Sequence, residues 1–329
     1  MGTQRAKSPC CSVKFIRFGN RRRQCSKCKK TWRIRQKKRG QKTKYESEDF
    51  VIKYLDRKVP TLYTLAKIKN SSARQLRLKL RRSLFTFVHN NPWPSIPDAK
   101  PLIALADGMI ININQTTYTF YFILLREINT KKAIITKPYI RRGTEVAQGW
   151  YEAFNQLPKA TQGAIGVLVC DGQKGLTSLA TYHNLIIQRC HFHLLAAIQG
   201  RRSRWIRSRH RATGELLYQI ASNIITNPDQ QSILFSLEKL VDLFVEIDSP
   251  VLRKVLSGFI KHYSDFRSYL EYPQFNLPRT NNSVESLIGS IRELCHRAKG
   301  FRTEKSLTLW VDCLLKYKKT VTCNGSPTK

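Results

Sequence analysis

Seventeen of the first 45 residues are Lys or Arg and none is Asp or Glu; the first acids, Glu46, Glu48 and Asp49, arrive together. An arm so charged repels itself and has few apolar groups to bury, so it must fold around something other than a hydrophobic core. Its own residues offer one centre. Cys25-Ser26-Lys27-Cys28 is a tight thiol pair, Cys10-Cys11 lies ahead of it across a basic loop, and Thr31-Trp32 follows. Four thiolates from two facing knuckles can hold one structural Zn²⁺ tetrahedrally, which is how small loop-rich modules fold without a core. The first knuckle is irregular: Cys10 and Cys11 lack the usual two-residue gap, and Ser8 stands where a first ligand is expected. A basic arm with incidental thiols is the plainer alternative.

The charge imbalance extends over the whole chain, with 58 Lys and Arg against 22 Asp and Glu in 329 residues, a net charge of +36. Such an excess argues against most small-molecule enzymes and for a polyanionic partner. At 41% apolar residues the chain also differs from a disordered basic tail. It exceeds the roughly 250–300 residues at which single cores stop growing, so several domains are expected. No apolar run approaches the ~20 residues of a membrane span. Arg5 and Lys7 are not followed by the apolar stretch of a secretory signal. The nine Cys read as reduced thiols and metal ligands of an intracellular protein.

Residues 46–89 are expected to form a helix-turn-helix DNA-binding domain of three short helices, the last capped by Ser71. In that last helix Ala73, Leu76, Leu80, Leu84 and Phe87 recur at helical spacing, while Arg74, Arg77 and Arg81 share a neighbouring face suited to the major groove. An amphipathic bundle with a solvated charged face is the alternative. Pro92, Pro94, Pro97 and Pro101 make 90–101 an extended linker.

Beyond it the pattern turns to β, with runs at Leu102–Asn114, Thr117–Ile128 and Lys132–Thr136. A helix over about 144–157, a strand at Ala164–Cys170, a further helix and a strand at Leu185–Arg189 follow. Three meandering strands and then alternating helices and strands predict an α/β layer fold with a mixed sheet. From His191 to about Leu270 the chain reads as helical; a last helix is expected at about Asn282–Arg297, and 317–329 as a polar tail in which Cys323 has no evident role.

Two Asp stand at costly places. Asp107 sits inside the first expected strand, directly after the apolar run Leu102–Ala106, and Asp171 follows Ile165–Cys170, at the strand end where open α/β sheets carry their sites. Each alone could be a strand-end or turn Asp. Glu285 lies in the first turn of the helix that Thr280 or Asn281 would cap, a place capping alone would also favour. Together, three carboxylates from two strands and a helix could hold two Mg²⁺ or Mn²⁺ ions for phosphodiester cleavage. Arg201, Arg202, Arg204, Arg207, Arg209 and Arg211, with Trp205 among them, form a run suited to a DNA backbone track with a stacking side chain, or else a solvated basic helix.

The Asp107-Gly108 pair, the segment Cys170-Asp171-Gly172-Gln173-Lys174-Gly175-Leu176 leading to Gln188-Arg189-Cys190-His191-Phe192-His193-Leu194, and Arg279-Thr280-Asn281-Asn282 ahead of Glu285 together resemble the Mutator-like transposases, in particular their bacterial insertion-sequence branch. The resemblance spans roughly residues 102–302. It implies a ribonuclease-H-like catalytic domain over 102–316 with a helical insertion at about 195–270. It also implies an Asp107, Asp171, Glu285 triad binding two divalent ions, and hydrolytic nicking of transposon ends followed by strand transfer. The family's Cys-x-x-His element falls on Cys190 and His193, which either orient the scissile strand or a catalytic group or simply support the sheet edge; a zinc shared with Cys295 and His296 is a minor alternative. Arg279, Asn281 and Asn282 would support the site or contact DNA. The partners implied are double-stranded DNA, as terminal inverted repeats and target, and a second copy of the chain when bound to DNA; no membrane is involved. The location implied is the bacterial cytoplasm, at the nucleoid. Two rivals stand beside this reading: an inactive or domesticated copy that binds DNA without cutting it, and a ribonuclease H acting on hybrids.

Overall fold

The computed structural model describes residues 10–11, 13–18, 22–33, 51–56, 72–96, 101–203, 211–298 and 300–323. The chain divides into two units, Met1–Glu46 and Ser47–Lys329. The first carries an antiparallel sheet of β1 (Phe15–Arg17), β2 (Arg22–Cys25) and β3 (Thr31–Arg33) in sequence order. Its apolar content is slight: Phe15 meets Trp32 edge-on with ring centroids 5.6 Å apart, and Cys25 is buried.

The second unit is built on a seven-stranded mixed sheet. Strands β4 (Leu102–Ile113) and β5 (Thr116–Glu127) pair antiparallel over their whole length, joined at Asn114 and Gln115, both left-handed at φ 46° and 64°. A two-residue loop with both residues at positive φ is the connection whose twist matches the flanking strands. Next come β6 (Lys132–Ile135) and β7 (Tyr139–Arg142), which pair with opposite halves of β5. Helices α1 (Ala73–Asn90), α2 (Ala147–Asn155) and α3 (Lys159–Ala164) precede β8 (Ile165–Cys170); α4 (Lys174–Tyr182) leads into β9 (Ile186–Arg189). Both β8 and β9 run parallel, β8 beside β4. With β10 (Thr320–Thr322), the order across the sheet is β10-β6-β5-β4-β8-β9, β7 extending β5.

Successive strand residues face opposite sides, and β4 divides accordingly. Ile103, Leu105 and Met109 pack with Val284, Leu287 and Ile291 of α9 (Asn282–Arg297) and with Trp310 and Val311 of α10 (Glu304–Lys318). Leu102, Ala104 and Ala106 pack with Trp150 and Phe154 of α2 and Leu176 and Leu179 of α4. A third core, holding Leu217, Ile224, Leu240, Leu252 and Phe259, belongs to the insertion helices α5 (His191–Ser203), α6 (Arg211–Thr226), α7 (Gln230–Glu246) and α8 (Pro250–Lys261). Leu287 is 1% exposed at the centre of the first core, so Leu287→Ala should destabilise the unit by about 2–5 kcal/mol. Chemical denaturation followed by circular dichroism checks this value, and a loss under about 1 kcal/mol would mean that α9 is not seated as described.

Several expectations are corrected. Val51, Tyr54, Leu55, Leu80, Leu84 and Phe87, from the segment expected as a helix-turn-helix, share the core of Trp310 and Leu315. The middle expected helix falls in 57–71, outside the described residues. The cap of α1 is Ser72, whose hydroxyl accepts from Gln75 N at 3.2 Å, whereas Ser71 lies outside the described residues. Arg74, Arg77 and Arg81 are exposed on the side of α1 away from that core. Asn282–Arg297 is followed by a further helix, α10, and the expected tail contributes β10, which pairs with β6 and leaves Cys323 buried.

Candidate active site

Three tethers fix the expected carboxylates, Asp107 in the middle of β4, Asp171 just past the end of β8 and Glu285 in the first turn of α9. Asp107 follows five buried residues of β4, and its Oδ1 accepts from Gly108 N at 2.8 Å. Asp171 follows the fully buried Cys170, and its Oδ1 accepts from Gln173 N at 2.9 Å. Between them Gly172 has φ 88°, and a Cβ there would lie 2.9 Å from the Arg189 guanidinium. Glu285 is placed by Asn281, which is fully buried: its Nδ2 donates to Ala106 O at 2.8 Å and its backbone N to Cys190 Sγ at 3.2 Å. Asn281 holds the N-cap position of α9, but its side chain makes no capping bond. It ties α9 to the strand residue just before Asp107 instead, so the expected cap is in fact a cross-tie. Arg126, 2% exposed, adds a second anchor by donating to Asn276 O at 2.6 Å in the loop ahead of α9.

Cys190, His193 and Glu285 place one ligand atom each within 4.8 Å of one another. His193 Nδ1 stands 3.5 Å from Glu285 Oε1. A hydrogen bond with Cys190 raises the imidazole above its ordinary range, helped by the charges of Glu285 and Asp171. Cys295 and His296 are not in this group. His191 is committed elsewhere: its Nε2 lies 2.7 Å from Phe266 O, and burial lowers it to about 4. Arg279 stacks its guanidinium 4.9 Å from the Tyr269 ring centre while its carbonyl accepts from His191 N, and Asn282 is exposed on the first turn of α9.

The electrostatics gather these groups into one centre. Asp107 is raised to about 7, first by burial and then by the charge of Asp171, with Glu285 and Glu145 adding to it. Glu145 is the residue that sequence reasoning misses; burial raises its carboxyl too, and the charge of Asp171 adds to that rise. It lies in the turn before α2, far in sequence from the strands whose ends it meets, and no local pattern marks it. Glu285 Oε1 and His193 Nδ1 are buried without hydrogen-bond partners. Carboxylates that raise one another by repulsion fit a hard divalent cation such as Mg²⁺ or Mn²⁺.

In the N-terminal unit Cys10, Cys11, Cys25 and Cys28 bring all four Sγ atoms within 4.8 Å of one another, Cys10 and Cys28 at 3.3 Å. The Cys11 thiol is pushed up to about 12, chiefly by its hydrogen bond with Cys28. Four sulfurs in one cluster fit a structural Zn²⁺, and the missing two-residue gap between Cys10 and Cys11 does not prevent the convergence. Arg201 and Arg202 fall in the last turn of α5, whereas Arg204 and Trp205 lie outside the described residues. No helix among the described residues is long and apolar enough to cross a membrane.

Among curated proteins no match is found. A family model described as "Transposase, Mutator family" matches residues 123–320, a stretch that holds Asp171, Cys190, His193, Arg279 and Glu285 and leaves Asp107 and the N-terminal unit outside it. That match covers well over half of the chain, which therefore belongs to the Mutator family of transposases.

Proposed function

We propose that this transposase binds the ends of its mobile element and cuts and joins DNA strands at the centre formed by Asp107, Asp171 and Glu285. The observation that carries this reading is Asp107, half-buried in the sheet and raised to about 7 by burial and by the charges of Asp171 and Glu285. A ribonuclease-H-like core is supported by the strand order, in which an antiparallel β6-β5-β4 meander continues into parallel β8 and β9. Between Asp171 and Glu285 stands the helical insertion with a core of its own.

Asp107, Asp171 and Glu285 would hold the divalent ions, which when bound activate water and stabilise the leaving oxygen in phosphodiester cleavage. The chain's own contribution is position. Asn281 fixes α9 against β4, so Glu285 has a fixed origin. His193, hydrogen-bonded to Cys190 and 3.5 Å from Glu285 Oε1, holds that carboxylate to one orientation. Side chains that orient ligands typically affect metal affinity or activity 10–100-fold. His193→Ala should therefore lower nicking by about 10–100-fold without abolishing it. Single-turnover cleavage measures the drop, and an unchanged rate would reduce His193 to a support of the sheet edge.

The net charge of +36 supplies general attraction for DNA, and the exposed Arg74, Arg77 and Arg81 supply a basic helix face. Joining two ends requires them to be held together, so a homodimer on DNA is part of the proposal. The irregular first knuckle is a ground for reading the chain as a relic that binds without cutting; the convergence of all four thiols speaks against that ground. The test is cleavage of labelled duplex carrying the element ends in Mg²⁺ and in EDTA. Mg²⁺-dependent nicking at the ends supports the enzyme, and tight binding with no nicking overturns it.

A further inference from the structure

We infer that Glu145 is a fourth carboxylate of the divalent-cation centre, delivered from the face of the sheet opposite Glu285. The inference rests on the proposed centre and extends it to a residue outside the expected triad.

Gly108 is the first observation. It follows Asp107 on β4, so its missing side chain would point to the α2 side of the sheet, the side of Leu102, Ala104 and Ala106. A Cβ built there would lie 2.6 Å from Glu145 Oε2 and 2.9 Å from its Cδ. Only glycine leaves room for the Glu145 carboxylate against the backbone that carries Asp107.

The second is how that carboxylate is held. Its other oxygen, Oε1, accepts from Trp150 Nε1 at 2.8 Å. Trp150 is fully buried, set edge-on to Tyr121 with ring centroids 5.0 Å apart. A Cβ on Gly175 would come within 2.9 Å of that indole, so the ring is enclosed on this side too. The Gln173 side chain also hydrogen-bonds Glu145, while Gln173 N donates to Asp171 Oδ1. Glu145 thus touches the backbone after Asp107 and is one residue removed from Asp171.

The third is what it lacks. In a chain with 58 Lys and Arg, no ion pair to Glu145 occurs among the described residues. A half-buried carboxylate without a basic partner, beside others of the same sign, is costly unless a cation offsets it. The indole, the amide and the glycine instead hold it where its charge acts on Asp107 and the charge of Asp171 acts on it.

The experiment measures Mn²⁺ binding to the full-length, zinc-loaded chain without DNA, by calorimetry and by loss of the free-ion electron paramagnetic resonance signal. Glu145→Gln keeps an oxygen for Trp150 but removes the charge. Gly108→Ala keeps Glu145 and pushes its flexible end away. Each should weaken Mn²⁺ binding by about tenfold or more, with far-ultraviolet circular dichroism and melting like the parent. Asp107→Asn is the control for the centre itself. Loss of affinity in Asp107→Asn with parental affinity in Glu145→Gln and Gly108→Ala would overturn the inference, leaving Glu145 as a packing partner of Trp150. Parental affinity in all three would overturn the reading of the centre, and the inference with it.

Discussion

Asp107→Asn, Asp171→Asn and Glu285→Gln should each reduce strand nicking by about 10³-fold or more, while the variant chains should still bind duplex carrying the element ends. Charge stabilisation by a bound divalent ion amounts to several kcal/mol, and each 1.36 kcal/mol is tenfold in rate. The substitutions are chosen so that little else changes. Asn at 107 keeps an oxygen for Gly108 N, and Asn at 171 keeps one for Gln173 N. Asp107 is raised to about 7 by burial and by the charges of its neighbours, so a neutral amide there removes repulsion. Its melting temperature should match or exceed the parent's. That outcome separates loss of chemistry from loss of fold: a dead variant that melts early says nothing about the centre, and a dead variant that melts as the parent does says that the charge is required. End binding is expected to rest on the basic surface and on the arm, which these changes leave alone. Nicking retained in any one variant removes that residue from the centre.

The legible parts of this chain are those whose signal is local. The β4–β5 hairpin shows in two apolar and β-branched runs around the polar Asn114-Gln115 turn, and Asp107 and Asp171 show because a carboxylate interrupting or ending such a run is costly. Helix α10 goes unexpected, although Leu307, Trp310, Val311 and Leu314 recur at helical spacing behind Thr303, whose hydroxyl accepts from Ser306 N. Strands β7 and β10 are not legible. Tyr139-Ile140-Arg141-Arg142 has no apolar alternation, and Thr320-Val321-Thr322 pairs with Lys132–Ile134 from far along the chain.

The site is hidden for the same reason. Asn281 has the residue type and position of a cap, and only the fold reveals that its amide reaches Ala106 O across the site. Glu145 needs Gly108 and Trp150 to become conspicuous, and neither stands beside it in the sequence. The sharing of one core by Tyr54, Leu84 and Trp310 likewise joins segments that the proline-rich stretch seems to separate.

Chelation of the N-terminal thiols should have the largest effect on folding. Among its described residues the unit has strands of three, four and three residues, one aromatic edge contact and one fully buried cysteine, little apolar burial to set against chain entropy. Structural zinc in small modules contributes about 10–16 kcal/mol of apparent binding energy, which is folding energy where no site exists in the unfolded chain. The purified chain should therefore carry one zinc, and Cys28→Ser, which removes a thiol 3.3 Å from Cys10, should lose it and unfold the arm. The larger unit should melt as before, since none of the described arm residues enters its three cores. DNA binding should then split in two. The arm's 17 basic residues survive unfolding, and general affinity follows charge. Discrimination needs side chains held in register on the groove, so the preference for element ends over random duplex should fall toward unity while random-duplex affinity changes little. Metal analysis and competition binding at fixed salt measure both. A zinc-free chain that still prefers its ends would make the arm a basic tail with incidental thiols. A zinc-loaded arm whose loss lowers both affinities equally would confine it to backbone contact, and recognition of the ends would then fall to α1 and its exposed Arg74, Arg77 and Arg81.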